Sequence, residues 1–349
     1  MNHGFSQWMD GSGPESDIVL SSRIRLARNL VGMPFPHRMS NEQGEEMLSK
    51  VGHAIASVDT GWHLKFYKLS DLSPLERNVL MEKHLVSPLL IQNPIRHEAV
   101  ALDDREDISV MVNEEDHLRL QVFLPGLQLQ EAWQVANSLD DMLEQQLDFA
   151  CDETRGYLTA WPTNLGTGLR ASVMLHLPAL VMTRQAAQVF TTLAQVGIVV
   201  RGLYGEGSEA RGNLFQISNQ VSLGLTEEEL CHNLSAVAQQ IIGRERNARQ
   251  HLQSNAPLAL ADRVGRAWGI LTNARVMTSD EALNLLSDVK LGVDLGLIHG
   301  PLPYAFAQLT LMTRPAFLQM EAGRDLRPEE RDEIRSDILR AHLLGKPVE

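Results

Sequence analysis

The sequence has few cysteines and no long hydrophobic run. Cys151 and Cys231 are too few for a disulfide framework, and neither has a histidine or cysteine nearby at the spacing of a zinc site. No window reaches the roughly 18 apolar residues of a membrane span, and the polar N-terminus lacks the apolar stretch of a secretory signal. These absences predict a cytoplasmic protein with two ordinary thiols and no membrane contact.

Positive charge is also scarce. The 349 residues carry a net charge of -13, which argues against direct nucleic-acid binding, because an excess of basic residues is needed to hold backbone phosphates. Only six of the 31 basic residues are lysine, and the other 25 are arginine. Arginine makes paired, planar contacts to phosphate. Arginines within apolar segments are therefore candidate anion ligands.

The chain divides by pattern into three segments. Residues 1–16 are polar and rich in glycine and serine, which predicts a flexible N-terminal tail. Residues 17–252 mix strand-like runs with amphipathic helices, notably at 128–149 and 227–249. Residues 253–349 follow a proline break and contain helix-like stretches, so we expect a small all-helical C-terminal domain. The predicted fold class is α+β, with a mixed, largely antiparallel sheet flanked by helices.

Three segments combine arginine with strand-like or glycine-rich sequence: SSRIRLARN (21–29), NLGTGLRASVMLH (164–176) and VVRGLYGEGSEARGN (199–213). On a strand, Arg23 and Arg25 point to one face, a geometry suited to clamping phosphate. Each signal alone also has an ordinary explanation. The arginines fit a solvated edge strand, and the glycines fit a tight turn, since their spacing is neither a P-loop nor a complete GxGxxG.

A fourth segment strengthens the functional interpretation. NEEDHLRL (113–120) places a run of acids immediately before a strand that carries Arg119. Taken in their order along the chain, the four segments extend over most of 17–250 and are similar to the signature segments of the phosphagen (guanidino) kinase catalytic domain. EKHLVSPLL (82–90), GEGSEA and RPEERDEIRS (327–336) resemble in particular those members of the superfamily that phosphorylate arginine in proteins.

The resemblance implies a phosphagen-kinase-type catalytic domain that uses ATP with Mg²⁺, and it implies roles for individual residues. Glu115 and Glu206 are expected to hold the acceptor guanidinium as catalytic residues, and no protein ligand to a metal is expected. The residues implied in ATP binding are Ser21, Ser22, Arg23, Ile24, Arg25, His84, Arg119, Arg170, Ala171, Ser172, Val173, Met174, Arg201, Gly202, Leu203, Tyr204, Gly205 and Glu206.

Elementary chemistry supports arginines and carboxylates in these roles. Phosphoryl transfer depends mainly on positioning and charge stabilisation, and a cluster of arginines can neutralise a triphosphate. The acceptor is itself a cation, so planar carboxylates must offset its repulsion by that cluster. A guanidinium pKa above about 12 against a glutamate pKa of about 4.3 makes deprotonation before transfer cost about 11 kcal/mol. We therefore expect proton loss to accompany or follow N–P bond formation, with alignment contributing more than basicity.

One position departs from the family pattern. Phosphagen kinases commonly carry a reactive cysteine just before the proline of PTNLGTG, where this sequence has Trp161. No thiolate is present there to meet the guanidinium. Two alternatives stay open for Trp161, a cation–π contact with the substrate or ordinary packing. Because Glu115 and Glu206 are both present, we expect activity to be retained, with an altered rate.

Two further features concern the substrate and its regulation. The first arginine motif begins near residue 20, which leaves no room for the helical domain and specificity loop that precede it in small-molecule guanidino kinases. We therefore expect an open site that admits an arginine side chain of a protein. Near the other end, Arg331, Asp332 and Arg335 lie on a predicted helix that places both arginines on one face. The resemblance implies a phosphoarginine receptor, and a solvated helix with glutamate partners is the alternative.

The resemblance implies an ATP-dependent protein arginine kinase acting in protein quality control and the stress response. The resemblance also implies partners: an McsA-type activator, a CtsR-type repressor as substrate, a ClpC/ClpP protease that degrades marked proteins, and a homodimer formed through the C-terminal domain. Two alternatives remain. One is a phosphagen kinase for free arginine, and the other is a catalytically weak adaptor that binds phosphoarginine or partner proteins.

Overall fold

The structure of the chain is a computed structural model. It describes residues 4–57, 61–92, 97–202, 210–300, 302 and 304–345. Among the helices in these ranges, none combines the length and the apolar character needed to cross a membrane.

Eight strands form one sheet, and every pairing between its described strands is antiparallel. The strands are β1 (Val19–Arg28), β2 (Lys65–Lys68), β3 (Ala99–Leu102), β4 (Ile108–Val112), β5 (Leu118–Pro125), β8 (Leu169–His176), β9 (Ile198–Gly202) and β10 (Leu214–Asn219), and a separate hairpin pairs β6 (Cys151–Asp152) with β7 (Gly156–Tyr157). Their order across the sheet is β2-β3-β4-β5-β1-β8-β10-β9.

Helices flank this sheet and make up the C-terminal part of the chain, which confirms the α+β prediction. They are α1 (Asn41–Ser57), α2 (Pro74–Glu82), α3 (Pro88–Gln92), α4 (Leu129–Glu144), α5 (Pro178–Met182), α6 (Ala186–Gln195), α7 (Glu227–Asn255), α8 (Pro257–Asn273), α9 (Ser279–Asp294), α10 (Phe306–Met312), α11 (Pro315–Ala322) and α12 (Pro328–Leu344).

The central strand β1 shows why the sheet has two unlike faces. Ile24 and Leu26 are fully buried in the core, while the alternating Arg23 and Arg25 point to the other face and are half-buried. Since β1 lies between β5 and β8, the alternative of a solvated edge strand is wrong. Because successive side chains of a strand alternate between its two sides, one face of the sheet at β1 is apolar and packed and the other carries the arginines.

The apolar face of the sheet is covered by α4 and α7, which supply residues to the same buried cluster as the strands. A buried ion pair fixes α4 to β1, because Arg28 donates from Nη2 to Asp140 Oδ2 at 2.6 Å and from Nε to the same carboxylate at 3.0 Å. The Arg28 guanidinium also lies 3.5 Å from the centre of the Tyr157 ring. Of the three arginines in SSRIRLARN, this one is therefore structural.

The C-terminal helices pack against the opposite face, where the arginines lie. Their buried cluster includes Phe123 from β5, Met174 from β8 and Leu214 from β10. The helices therefore cover one end of the charged face and leave the rest of it open.

Residues 4–16 are not the flexible tail that composition predicted. Trp8 and Met9 lie in a short helical turn and are 2% exposed, and the Trp8 ring stacks on Phe123 with a centroid distance of 5.1 Å. Aromatic burial thus outweighs the glycine and serine content of the segment. Residues 1–3 lie outside the described ranges.

Two helix ends differ from the sequence prediction. The helix predicted at 128–149 is α4, which ends at Glu144, and the one predicted at 227–249 is α7, which continues to Asn255. The predicted domain break at 252/253 therefore falls inside a helix. A proline in the first turn of α8 follows the observed break, and proline is favoured there because it has no N–H to leave unpaired.

Candidate active site

Six arginines line one cleft of about 380 Å³ on the charged face of the sheet, and five of them come from its strands. Arg23 and Arg25 come from β1, Arg119 from β5, Arg170 from β8 and Arg201 from β9. The pairing of β1 with β8 sets Arg25 directly opposite Arg170. All five were predicted as phosphate ligands, and the sheet brings them together.

The cluster is electrostatically strained. Burial is the largest cause that lowers the pKa of Arg23 to about 9, and the charges of Arg119 and Arg170 add to it. Burial and the same kind of repulsion also lower the pKa of Arg25 well below its ordinary value. Among the described residues, the buried Nε atoms of Arg25 and Arg170 have no hydrogen-bond partner. A polyanion such as a triphosphate fits this cleft, because it would supply both the charge and the acceptors that are missing.

Neutral side chains position the arginines without cancelling their charge. Arg23 donates from Nη2 to Gln216 Oε1 at 2.6 Å and from Nε to Ser172 Oγ at 3.3 Å. Arg170 donates from Nη2 to Ser218 Oγ at 3.3 Å. Carboxylates in these places would pair with the arginines and weaken their pull on an anion. Gln216 was missed by the sequence analysis, since a single glutamine on a strand gives no signal.

His84, predicted near the nucleotide base, lies at one end of this cleft. It follows α2 with a positive φ of 62°, and Gln121 Nε2 donates to its carbonyl oxygen at 2.8 Å. Burial, followed by the charges of Arg23 and Arg314, lowers the pKa of His84 to about 3. The imidazole is therefore neutral at physiological pH and suited to contact an uncharged base.

Some of the predicted nucleotide-binding side chains do not line the cleft. Ser22 is a structural residue, since its Oγ donates to the Gly126 carbonyl and accepts from the Gln128 amide, both at 2.9 Å. The predicted residues whose side chains are buried away from the cleft are Ser21, Ser22, Ile24, Ala171, Val173 and Met174.

The predicted nucleotide segment 202–206 is only partly described. Gly202, the last residue of β9, lines the cleft. Leu203, Tyr204, Gly205 and Glu206 lie outside the described residues. The roles predicted for them, including the catalytic role of Glu206, stay predictions.

Beyond the arginines the cleft continues to a pair of glutamates and Trp161. This adjoining part, of about 520 Å³, is lined by Glu114, Glu115 and Trp161 together with four of the arginines. Glu114 forms an ion pair with Arg119. Because Glu114 is already paired with Arg119, Glu115 is the one of these two glutamates that can bind a cation.

The electrostatic surroundings of Glu115 are mixed. Burial raises the pKa of Glu115, and the neighbouring charges of Glu114 and Asp116 raise it further. Arg119 and a hydrogen bond with the Trp161 side chain lower it. Since the indole N–H is only a donor, Trp161 stabilises the ionised form of Glu115.

Hydrogen bonds connect the acidic turn to two other motifs. Asp116 Oδ1 accepts from Asn29 Nδ2 and from the Ala160 amide, both at 2.6 Å, and Asn29 Oδ1 accepts from the His117 amide at 2.9 Å. His117 is buried, and its Nδ1 accepts from the Leu30 amide at 2.9 Å. These bonds set Glu115 beside Trp161, and they give His117 a structural role.

Two further side chains line the nucleotide end, one from α2 and one from the C-terminal part, and the sequence analysis missed both. Arg314, just before α11, and Glu82, at the end of α2, both line the cleft. Glu82 is buried and accepts from the amides of Ala316 at 2.9 Å and Phe317 at 2.8 Å. Arg314 lies far in sequence from the other cleft residues and in no arginine-rich motif, so only the fold could identify it.

The predicted receptor residues on α12 are not a solvated face. Arg335 is buried and donates to the carbonyl oxygens of Thr313 at 2.8 Å and Met277 at 2.7 Å, and it forms an ion pair with Asp332. The charge of Arg331 acts on Glu82, whose pKa is raised mainly by burial. The helix face therefore lies against the turn before α11 and near the nucleotide cleft.

The described residues contain no group of three or more histidine, cysteine, aspartate or glutamate side chains that could hold a metal ion. Magnesium commonly binds through substrate phosphates and water together with few protein ligands. The cleft therefore fits Mg²⁺ as a component that enters with a nucleotide.

Comparisons with solved structures agree with the fold. The duplicated taurocyamine kinase from Schistosoma mansoni, bound to transition-state analogue components, superposes with a TM-score of 0.61 at 27% identity, over 68% of this chain and 34% of that chain. A lombricine kinase superposes with a TM-score of 0.60 at 23% identity, over 70% of each chain.

Family and sequence comparisons cover both parts of the chain. The model of the ATP:guanido phosphotransferase C-terminal catalytic domain matches residues 46–248, and that of the protein-arginine kinase McsB C-terminal domain matches residues 257–348. A protein-arginine kinase from Moorella thermoacetica is 54% identical over 97% of this chain and 98% of its own length. That of Bacillus subtilis is 48% identical over 97% of this chain and 93% of its own length. Because these similarities extend over almost the whole chain and include its helical C-terminal part, the chain belongs to the protein-arginine kinases.

Proposed function

We propose that this chain transfers the γ-phosphoryl group of ATP to the guanidinium of arginine side chains in proteins. The observation that carries the proposal is one continuous cleft with opposite charge at its two ends. Arginines line one end, Glu115 lies beside them, and the described residues that line the part beyond Glu115 include glutamates and no arginine. An anionic donor and a cationic acceptor can meet in such a cleft without competing for the same ligands.

The arginine end supplies the electrostatic part of catalysis. The triphosphate takes the hydrogen bonds that Arg25 and Arg170 lack among the described residues, and its charge relieves the repulsion that lowers the arginine pKa values. As charge moves from the γ-phosphoryl group to the leaving oxygen, fixed guanidinium groups stabilise it without reorganising. Mg²⁺, bound with ATP, would supply further charge neutralisation at the phosphates.

The glutamate end holds the acceptor. Glu115 pairs with the guanidinium and aims one nitrogen at the γ-phosphorus, and Glu206 is proposed as its second carboxylate. An N–P bond forms, the bond from the γ-phosphorus to the bridging oxygen of ADP breaks, and the guanidinium gives one proton to Glu115 or to water. Because the ordinary pKa values of the two groups differ so widely, the proton leaves only as the N–P bond forms. Alignment by Glu115 is therefore its main contribution.

The open acceptor end favours arginine in a protein over free arginine. Trp161 is 55% exposed and Leu89 is 40% exposed at this end, so a chain that carries the target arginine can approach. A kinase for free arginine is the alternative, and it would show equal or higher kcat/KM for the free amino acid than for an unfolded protein.

A role in regulated protein quality control is proposed in addition. The α12 residues Arg331, Asp332 and Arg335 are the proposed phosphoarginine receptor, and they lie close to the nucleotide end through Glu82. An McsA-type activator, a CtsR-type substrate, a ClpC/ClpP protease and a homodimer are the proposed partners and assembly. If the chain were instead only an adaptor, it would bind phosphoarginine without turning over ATP.

Peptide mass spectrometry of casein incubated with the protein, ATP and Mg²⁺ tests this proposal, with neutral handling because the N–P bond is labile to acid. We expect the mass of a phosphoryl group on arginine residues, and its loss in Glu115→Gln and Glu206→Gln. Glu46→Gln is the matched control, since Glu46 lies on the exposed face of α1, where it forms an ion pair with Lys50. Unmodified casein with wild-type protein, even in the presence of an activator, would favour the adaptor.

A further inference from the structure

Trp161 is held in place although its side chain is exposed. Its carbonyl oxygen accepts from Thr159 Oγ at 2.9 Å and from the Asn164 amide at 3.0 Å. The bonds fix the backbone on both sides of the residue at the start of a helical turn, Pro162–Asn164. A large aromatic side chain that is 55% exposed on a fixed backbone is accessible to a substrate.

The indole of Trp161 lies beside the catalytic carboxylate. Both side chains line the same two parts of the cleft, and the indole N–H, which can only donate, lowers the pKa of Glu115. A donor at this place can limit how the carboxylate turns toward the guanidinium of the acceptor.

The same ring also lines a further part of the cleft, of about 620 Å³, which continues outward from Glu115. Apolar side chains dominate this outer part, with Pro36, Leu89 and Leu90 beside Trp161. Its charged lining consists of glutamates, and no arginine or lysine occurs among the described residues that line it. The volume is more than one guanidinium needs, and the negative charge suits a cationic segment of polypeptide.

We propose that Trp161 is a positioning and specificity residue: its N–H orients Glu115, and its ring with Leu89 binds an apolar side chain adjacent to the target arginine. The inference rests on the proposed function and adds the class of acceptor to it. The preferred acceptor is an unfolded segment in which arginine has apolar neighbours. Such segments are buried in folded proteins, so the site would distinguish unfolded chains from folded ones.

Two substitutions separate the two roles. Trp161→Phe keeps a ring but removes the N–H, and Leu89→Ser removes apolar surface without touching Glu115. The probes are two synthetic peptides of equal charge, one with leucine and one with alanine on both sides of a single arginine. The readouts are kcat, kcat/KM and the pH dependence of kcat.

We expect the wild type to prefer the leucine peptide by about tenfold in kcat/KM, the size of a modest apolar contact. Trp161→Phe should keep that preference and lower kcat by about tenfold or more, since a hydrogen bond to a charged group is lost. Leu89→Ser should abolish the preference by lowering kcat/KM for the leucine peptide to the value for the alanine peptide. Leu258→Ser, at an 83% exposed leucine on α8, is the matched control and should resemble the wild type.

The pH profile separates positioning from packing. The charges of Glu114 and Asp116 raise the pKa of Glu115, whereas Arg119 and hydrogen bonding by Trp161 lower it. The charge of Glu115 in turn raises the pKa of Arg170. Removing the hydrogen bond raises the pKa of Glu115, so the acidic limb of kcat in Trp161→Phe moves to higher pH. Leu89→Ser should leave that limb in place.

Three results would count against the account in different ways. Equal kcat and an unmoved acidic limb in Trp161→Phe would overturn the positioning role. A leucine preference that survives in both Leu89→Ser and Trp161→Ala would overturn the specificity role. A wild type that transfers phosphate to neither peptide nor casein would overturn the proposed function itself, and the inference with it.

Discussion

Arg25 and Arg170 lie directly opposite each other on neighbouring strands, with buried Nε atoms that have no partner among the described residues. Without an anion, burial and mutual repulsion disfavour their charged forms, as the lowered pKa values of both show. The same fixed charge that attracts a triphosphate also destabilises the unliganded protein. At the scale of residues, function and stability therefore oppose each other in the cleft.

Arg25→Gln tests this opposition. Without nucleotide, we expect the apparent Tm to rise by about 2 °C, because a buried and repelled charge is removed. We also expect kcat/KM for ATP to fall by about a hundredfold or more. Thermal unfolding and steady-state kinetics measure the two effects. Arg155→Gln, at an exposed arginine, should change neither, and a lower Tm with unchanged kinetics in Arg25→Gln would contradict the account.

Thiol chemistry gives a second test at this scale. Trp161 occupies the position of the family's usual cysteine, Cys151 is exposed outside the cleft, and Cys231 is buried with a pKa raised to about 12, mainly by burial. Since reactivity requires the thiolate, we expect iodoacetamide to alkylate Cys151 and leave kcat within about twofold of the untreated enzyme. Kinetics beside intact-mass measurement check this.

The variant Trp161→Cys is the companion to that test. It places a thiol next to Glu115, so alkylation should abolish whatever activity the variant retains. Loss of wild-type activity upon alkylation of Cys151 alone would mean that this cysteine acts on the site.

At the scale of elements, the contact between α2 and α11 links the C-terminal helices to the nucleotide end. The buried Glu82 carboxylate accepts the first free amides of α11, those of Ala316 and Phe317, as expected for an anion at a helix N-terminus. Its surroundings also include the charges of Arg314 and Arg331. One carboxylate thus binds the end of a helix and interacts electrostatically with a cleft residue and with the proposed receptor helix.

Glu82→Ala should therefore act on stability and on nucleotide binding together. We expect a loss of about 1–3 kcal/mol in the free energy of unfolding, from unpaired amides and arginines. The KM for ATP should rise because the start of α11, and with it the adjoining Arg314 that lines the cleft, loses the carboxylate that holds it in position. Urea unfolding and kinetics measure these effects, with Glu76→Ala on the same helix as a control for helix capping. An unchanged KM would show that this contact is only structural.

Sequence patterns predicted the elements whose signal is local. The alternation around Arg23 and Arg25 gave the two faces of β1, because a strand has a period of two residues. The capping box at Thr226 marked the start of α7. The end of α7 was missed because its continuation depends on packing rather than on a cap residue. Arg314 and Gln216 were missed because only the fold brings them to the cleft.

At the scale of the whole molecule, the N-terminal segment joins the sheet to the C-terminal helices. Trp8 stacks on Phe123 of β5, and Phe5 contacts Tyr304 and Phe317 with centroid distances of 5.8 and 5.7 Å. Composition alone predicted a flexible tail, since a few aromatics among polar residues do not alter an average. The segment instead connects the two parts of the molecule between which the nucleotide end lies.

Trp8→Ala should be strongly destabilising. We expect a loss of about 3–5 kcal/mol in the free energy of unfolding, the usual cost of removing a buried aromatic side chain. Trp8→Phe should cost less, because it keeps a ring and removes an indole N–H that has no partner among the described residues. Urea unfolding measures both, and a loss below about 1 kcal/mol for the alanine variant would contradict the packing described.

The central claim is that one cleft, cationic at one end and anionic at the other, joins ATP to an arginine guanidinium. Phosphorus-31 NMR of casein with ATP, Mg²⁺ and the protein at neutral pH, compared between wild type and Glu115→Gln, tests it most directly. We predict a casein-bound N–P signal that disappears in acid and is absent with Glu115→Gln, although that variant still binds ATP. An undiminished signal with Glu115→Gln, or an acid-stable product, would contradict the claim.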